Sequence, residues 1–322
     1  MAIEEQNKII AIIQGPVSSP GRTFSTNRMR ELGRFNNESD LVIDFNSRST
    51  ILENIKKIHD CGIATIYSGW LGDCPPDFKE EIEDMGTKVI LSDATNAPSV
   101  FEKDTPFKNV LAVANKTKQY YSLFHGLKSI KNLSEHLVIK MRSDMTLDLD
   151  KLLTEIYKHR NSLISDSTIL IQHLKYQAHS KRLSFWIPDF IFVGRGDVIR
   201  HISEDLLIRS LNNDSYSNNP HVDLGNAILR FHWPFFPKFN TDSQSLRKLL
   251  KESRLIMLAR EIINRTAQLV LREKLSFLQR NRLLIPMSKK VQHSIIWRGD
   301  PYAQFAKDNS EVDKELIYSP HD

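Results

Sequence analysis

Seven short apolar runs constrain this chain more than any other feature. Ile9–Ile13, Leu41–Phe45, Ile63–Tyr67, Val89–Leu91, Leu137–Ile139, Ile169–Ile171 and Phe190–Val193 have the length and β-forming content of buried strands. Between them, Thr50–His59, Asn109–Lys131, Asp150–His159 and Asp197–Ile208 carry helical spacing. Apolar strands alternating with helices predict a mostly parallel α/β sheet with helices on both faces. In such sheets ligands bind beyond the carboxyl ends of the strands, so the residues that follow each run are where chemistry is expected.

The strand pattern stops after Pro234-Phe235-Phe236-Pro237, and a long basic helical stretch follows. A boundary is therefore expected near residue 240, with an α/β body over 1–240 and a basic helical region over 241–322. The charge divides the same way. From Leu246 to Arg298 there are thirteen Lys or Arg against three Glu, a local +10, so with a net charge of +5 the remainder sums to −5. Amphipathic basic helices suit an anionic membrane surface, at about 1 kcal/mol per basic residue near the headgroups. They also suit a plain helical cap with a solvated face. Without aromatic interleaving or a recognisable module, nucleic acid is not an expected partner.

The N-terminus, MAIEEQNKIIAIIQG, sets two acids where a secretory signal needs cations, and no run approaches a membrane span. Cys61 and Cys74 form no CxxC pair, as expected of a reducing compartment. The expected location is cytoplasmic, or peripheral on the inner face of the cytoplasmic membrane. P-loop, dinucleotide, zincin and nucleophile-elbow signatures are absent. His173, His179, His201, His221 and His232 lack metal-ligand spacing and read as packed or surface residues.

Three stretches carry candidate chemistry. After the first run come Gln14, Gly15 and Pro16, with Arg22 beyond. A Gly beside a Pro makes a rigid turn and lets backbone N–H groups approach a ligand, and a simple strand-to-helix loop explains it equally well. On the helix 109–131 an apolar stripe of Tyr120, Leu123, Leu127 and Ile130 is flanked by a polar stripe of Asn115, Gln119, Ser122 and Gly126. A half-buried row of amide, hydroxyl and glycine suits a ligand cleft, or a solvated helix edge. In KMRSDM, strand alternation places Lys140, Arg142 and Asp144 on one face at the end of a buried run. They can pair as a structural ion network, or meet a diphosphate while Asp144 holds a divalent metal.

Four ordered segments give a family likeness: IIQGPV at 12–17, NKTKQYYSLFHGL at 115–127, KMRSDM at 140–145 and IPDFIFVGRGD at 187–197. Over roughly the first 235 residues the chain resembles the WavE family of lipopolysaccharide-biosynthesis glycosyltransferases, which implies a GT-A-like fold. Lys118 stands where that family tends to place Arg, and its Ser-Thr-Trp pattern appears only as Tyr67-Ser68-Gly69-Trp70.

The resemblance implies transfer of a sugar from a nucleotide-activated donor to a growing bacterial surface glycan, free or lipid-linked. GT-A transferases place Asp-x-Asp where this chain has Arg142 and Asp144, so Mg²⁺ or Mn²⁺ on Asp144 is one expectation and a cation in the metal's place is the other. Ser92 and Asp93 end another apolar run, where Asp93 meets a ribose or begins a turn. Asp189, which opens a strand, and Asp223, which matches an acidic residue of a late helix and also suits an N-terminal cap, are the candidate bases. A sugar-phosphate or nucleotidyl transferase, or a non-catalytic membrane-associated scaffold of a glycan assembly complex, are the rival functions.

Overall fold

The computed structural model describes residues 8–23, 42–93, 110–179, 182–212, 220–234, 269–270 and 272–297. Its strands are β1 (Ile9–Gln14), β2 (Ser18–Thr23), β3 (Val42–Asn46), β4 (Ala64–Trp70), β5 (Lys88–Ser92), β6 (Leu137–Arg142), β7 (Met145–Thr146), β8 (Ile169–Ile171), β9 (Lys175–His179), β10 (Arg182–Trp186), β11 (Ile191–Arg195), β12 (Leu284–Pro286) and β13 (Ile296–Trp297). The principal helices are α1 (Arg48–Asp60), α2 (Pro76–Asp84), α3 (Val110–Lys128), α4 (Leu149–Ser165), α5 (Gly196–Leu211) and α6 (Pro220–His232).

Seven strands form the central sheet in the order β12-β8-β11-β6-β1-β4-β5. β6, β1, β4 and β5 are mutually parallel, β12 runs parallel to β8, and β11 runs antiparallel to both β6 and β8. This is the mostly parallel α/β class that the sequence implies. The reversal of β11 was not legible in an apolar run, which carries no direction. Its effect is to place the start of β11 beside the carboxyl end of β6, where Ile191 pairs with Met141.

Alternation sorts the side chains into two layers. Ile9, Ala11 and Ile13 of β1 join Leu137, Ile139 and Met141 of β6 on one face, covered by Ile51, Ile55 and Ile58 of α1, Phe78 of α2, and Leu152 and Ile156 of α4. Ile10 and Ile12 join Val138 on the other, under Tyr120, Leu123 and Leu127 of α3, Ile199 and Ile202 of α5, and Leu224 and Ile228 of α6. The predicted apolar stripe of α3 is therefore a core stripe.

Two expectations need correction. Within the run Leu41–Phe45, the described residues 42–45 do form a strand, β3, but it pairs antiparallel with β2 in a separate ribbon instead of joining the central sheet. The strand pattern also does not stop near residue 237. β12 forms the outer strand beyond β8, and Leu275 and Leu278 from the helical segment 272–280 sit in the α3–α5–α6 layer. Leu284–Pro286 ends in a proline and lies inside a basic stretch of helical spacing, so it does not stand out as a strand in the sequence. Residues 246–268, the first part of the basic stretch, lie outside the described residues. Among the described residues, no helix is long and apolar enough to cross a membrane.

Leu278, fully buried, tests whether this C-terminal segment belongs to the same cooperative unit. Leu278→Ala should lower the urea midpoint of the main transition, at a cost of about 2–5 kcal/mol. An unchanged main transition would mean that the segment folds independently.

Candidate functional site

The layer under α3 turns polar at the carboxyl end of the sheet. Alternation puts Gln14 after Ile12 and Lys140 after Val138 on this face, and the β1–β6 register sets Gln14 beside Arg142. Lys140 is 1% exposed and cannot reach water, so its ammonium donates to the main-chain carbonyl of Asp189 and lies 5.4 Å from the Phe192 ring centroid. Burial pulls the Lys140 pKa down to about 8, Asp189 and Asp144 oppose the shift, and Arg142 adds to it.

Asp189 is the hub. Its carboxylate is buried and accepts from the Gln119 side-chain amide at Oδ2, while Oδ1 has His221 Nδ1 at 2.8 Å and Arg142 Nη1 at 3.9 Å. Burial alone would raise the pKa of this carboxyl. His221, Lys140 and Arg142 outweigh it and hold Asp189 well below the ordinary carboxylate value. Arg142 donates from Nε and Nη2 to the two oxygens of Asp144 at 2.8 and 2.5 Å, and its guanidinium lies 5.2 Å from the Phe190 ring centroid. Burial lowers the Arg142 pKa, but Asp144 and Asp189 more than reverse that, so the guanidinium stays charged.

The strand ends at Arg142, so Lys140, Arg142 and Asp144 do not form a continuous strand face. Asp144 lies in the turn into β7, and the Arg142 side chain folds onto it. This is the ion-network alternative, and it bears on the metal. Both oxygens of Asp144 are already engaged by one guanidinium. Asp189 is surrounded by donors, and among the described residues no cluster of three or more His, Cys, Asp or Glu could hold an ion. The donor set does not fit Mg²⁺ or Mn²⁺, which need several oxygens unopposed by cations.

The Gly15 loop turns its polar backbone inward. Gly15 N–H donates to the Ser68 carbonyl at 3.4 Å, its carbonyl accepts from Tyr67 Oη at 2.7 Å, and Pro16 O accepts from Ser47 and Ser143 hydroxyls at 2.7 and 2.9 Å. With φ at +137°, and with a Cβ that would come 2.4 Å from Ser143 Oγ, position 15 requires glycine for packing against the β6 turn. The expected amide cradle is thus spent on internal bonds at Gly15. Arg22 lies in β2 opposite Ile43, and its side chain is outside the described residues.

The polar stripe of α3 faces the sheet instead of a cleft. Gln14 Nε2 donates to Ser122 Oγ at 3.0 Å and to the Gln119 carbonyl. Ser68 Oγ donates to the Ser122 carbonyl at 2.6 Å. A Cβ on Gly126 would meet Ser68 at 3.0 Å, so the glycine lets the helix close on the strand. Gln119 alone of the stripe's described side chains reaches the Asp189 hub. Asn115 lies in α3, with its side chain outside the described residues.

Asp223 is 1% exposed and accepts from Lys116 Nζ at 2.8 Å and Tyr120 Oη at 3.0 Å. Burial first, then Asp223, pushes the Tyr120 pKa well above its usual value. With its carboxylate enclosed between two donors from α3, Asp223 ties α6 to α3 and is poorly placed to meet an acceptor. Ser92 is buried with Oγ 3.1 Å from His125 Nδ1, and Asp93 follows at the carboxyl end of β5.

Two features escaped the sequence. His221 carried no ligand spacing, yet the fold brings it from the start of α6 onto Asp189, thirty-two positions earlier. Trp70, Tyr121 and His125 form a chain of rings with centroids 5.8 Å apart, and Lys118 Nζ lies 5.1 Å over Trp70. Asp93 acts electrostatically on Tyr121, so this half-buried aromatic group adjoins the end of β5. The i, i+4 spacing of Tyr121 and His125 was the one signal available. Two clefts among the described residues lie elsewhere. One of about 380 Å³ flanks β12 and is lined by Lys158, His159, Gln279, Arg282 and Leu284 among others, away from the charged hub.

No protein family's model matches the sequence, and no curated protein matches it. Among solved structures, the apo form of mouse xyloside xylosyltransferase 1 is similar over 71% of this chain and 82% of its own, at 9% identity and a TM-score of 0.33.

Two stability outcomes follow from the buried charges. Lys116→Met strands the Asp223 carboxylate and should cost about 3–5 kcal/mol in urea unfolding, whereas Lys116→Met/Asp223→Leu should be less destabilised than Lys116→Met alone. Asp189 has a folded pKa below its unfolded value of about 3.8. Its contribution is therefore complete above that value and is lost as pH falls through the lower folded value. Stability measured downward from about pH 5 should fall more steeply in the wild-type protein than in Asp189→Asn.

Proposed function

We propose that this chain is a glycosyltransferase that moves a sugar from a nucleotide-activated donor to a growing bacterial surface glycan, such as lipopolysaccharide, O-antigen or capsule. The observation that carries the proposal is the Lys140–Arg142–Asp189 network at the carboxyl end of a mostly parallel sheet. The WavE resemblance supports it further. Its four segments are far apart in sequence, yet Gln119 and Arg142 reach the Asp189 carboxylate, and Gln14 bonds to Gln119 and pairs with Arg142 beside them.

In this proposal Arg142, which is charged and 21% exposed at its side chain, neutralises the donor diphosphate. Lys140 lies too deep to touch a ligand and adds positive potential from below. Asp93, Tyr121 and Trp70 form the wall against which the nucleoside stacks and hydrogen-bonds. Because the donor set does not suit a divalent cation, we assign the leaving-group charge to Arg142 rather than to Mg²⁺ or Mn²⁺. A nucleotidyl or sugar-phosphate transferase would need that metal, so the same chemistry disfavours it. The acceptor is a glycan or lipid-linked oligosaccharide at the cytoplasmic face of a membrane, approached through the basic residues of 246–298.

Thermal-shift measurements with UDP, GDP, CMP and ADP, each with Mn²⁺ and with EDTA, test the proposal. One nucleotide should raise Tm equally in both conditions, and Arg142→Ala should lose at least tenfold in affinity, about 1.4 kcal/mol. A shift abolished by EDTA would restore the metal. No shift with any nucleotide would favour the scaffold.

A further inference from the structure

Two adjoining clefts flank the β12 edge of the sheet, away from the Asp189 hub. Their volumes are about 380 and 450 Å³, and Lys158, His159 and Arg282 line both. Volumes of roughly 300–1,000 Å³ are those of small-molecule sites. Because β11 is antiparallel to both β6 and β8, β8 and β12 run in the direction of β6. Arg282 precedes β12, so it lies at the amino end of these strands, opposite the candidate site.

The lining is cationic and unbalanced. Lys158 and Arg282 are exposed, and among the described residues neither side chain has an ion pair or hydrogen bond. Arg160 adds a cation to the larger cleft. Among the described residues no Asp or Glu lines either cleft. Glu155, buried one turn before His159 in α4, lies 3.4 Å from its Nε2. Like charges gathered without an acid repel, and a bound anion removes that repulsion.

Arg282 carries the stronger signal, and it comes from the backbone. The helical segment 272–280 ends with Arg282 N–H donating to Gln279 O at 3.0 Å and Leu283 N–H donating to Leu278 O at 2.8 Å. These are the paired bonds of a helix C-cap whose turning residue adopts the left-handed region and is most often glycine. Arg282 adopts it, with φ at +55°. Its carbonyl accepts from Thr168 Oγ1 at 2.8 Å, which ties the turn to the start of β8. None of these bonds uses the Arg282 side chain, so glycine would make them without the crowding of a Cβ. The turn gives no reason for a long cation at this position. The cleft does.

Neutral polar groups complete the surface. The side chains of Gln279, Asn161 and Ser162 line it and make no hydrogen bond among the described residues, and Leu284–Pro286 forms an apolar wall. A ligand with hydroxyls as well as charge satisfies more of this lining than a bare ion does. We propose that the clefts form a second binding site, for a phosphorylated sugar. Arg282 and Lys158 hold the phosphate through charge-assisted hydrogen bonds. Gln279, Asn161 and Ser162 meet ring hydroxyls, and the apolar face of the ring lies on Leu284 and Pro286. The inference stands apart from the glycosyltransferase reading, because none of these residues belongs to the Asp189 network.

Calorimetric titration of the full chain with glucose 6-phosphate, mannose 6-phosphate and galactose 6-phosphate, at constant ionic strength, tests the proposal. At least one should bind about tenfold or more tightly than inorganic phosphate or the unphosphorylated sugar. Arg282→Gly should weaken that binding about tenfold or more while Tm stays unchanged or rises, since glycine suits the turn. Lys158→Met, at an exposed helix position, should also weaken it with Tm unchanged. The methyl glycoside of the tightest ligand separates two sources of the same chemistry. Equal binding would assign the site to a phosphorylated residue within a glycan, and lost binding to a free sugar phosphate.

A wild-type protein that binds inorganic phosphate as tightly as every sugar phosphate, or binds none of them, would overturn the proposal. So would an Arg282→Gly protein with lowered Tm and unchanged binding, the pattern of a purely structural residue. Either result would leave the glycosyltransferase reading to its own nucleotide test.

Discussion

A carboxylate buried away from water has to be compensated, and that requirement arranges the carboxyl end of this sheet. Asp189 enters the interior because β11 runs against its neighbours and begins where β6 ends. Once there, it draws the side chains of Gln119 from α3, Arg142 from β6 and His221 from α6, while its carbonyl takes Lys140. Four segments that share no local sequence are thus tied at one point. Removing any partner leaves charge or hydrogen-bonding capacity unmet in a medium where that costs several kcal/mol.

The same requirement separates structural from chemical roles. Lys140, Lys116, Asp223 and Tyr120 are too deep to meet a substrate, and their pairing locks α3 and α6 onto the sheet. Arg142 and His221 sit at the margin, each in contact with Asp189, so the charge that the proposed transferase would offer a diphosphate depends on one buried anchor.

Much of the fold was legible because burial leaves a direct mark on a sequence. The runs at 9–13, 63–67, 89–91, 137–139 and 169–171 all became strands of the central sheet, and the stripe of Tyr120, Leu123 and Leu127 became core. Direction and pairing leave no such mark. Leu41–Phe45 looks like any sheet strand but is half of a separate ribbon, and nothing in Leu284–Pro286 announces the outer strand beyond β8. The polar stripe of α3 read as a cleft because amides and hydroxyls look alike whether they face a ligand or a strand. Ser122 and Gly126 instead serve the contact with Ser68 and Gln14.

The candidate site divides along the same line. By itself, the sequence placed Lys140, Arg142 and Asp144 after a buried run and Asp189 before one, because charges that flank an apolar run have only its ends to go to. Tertiary structure alone decided that Arg142 would close on Asp144 and that Asp189 would be the hub. It also decided that an unremarkable histidine at the start of α6 would be held against that hub. Such choices depend on which elements meet in space and on the penalty for burying unpaired charge, and neither is written in the spacing of residues along the chain.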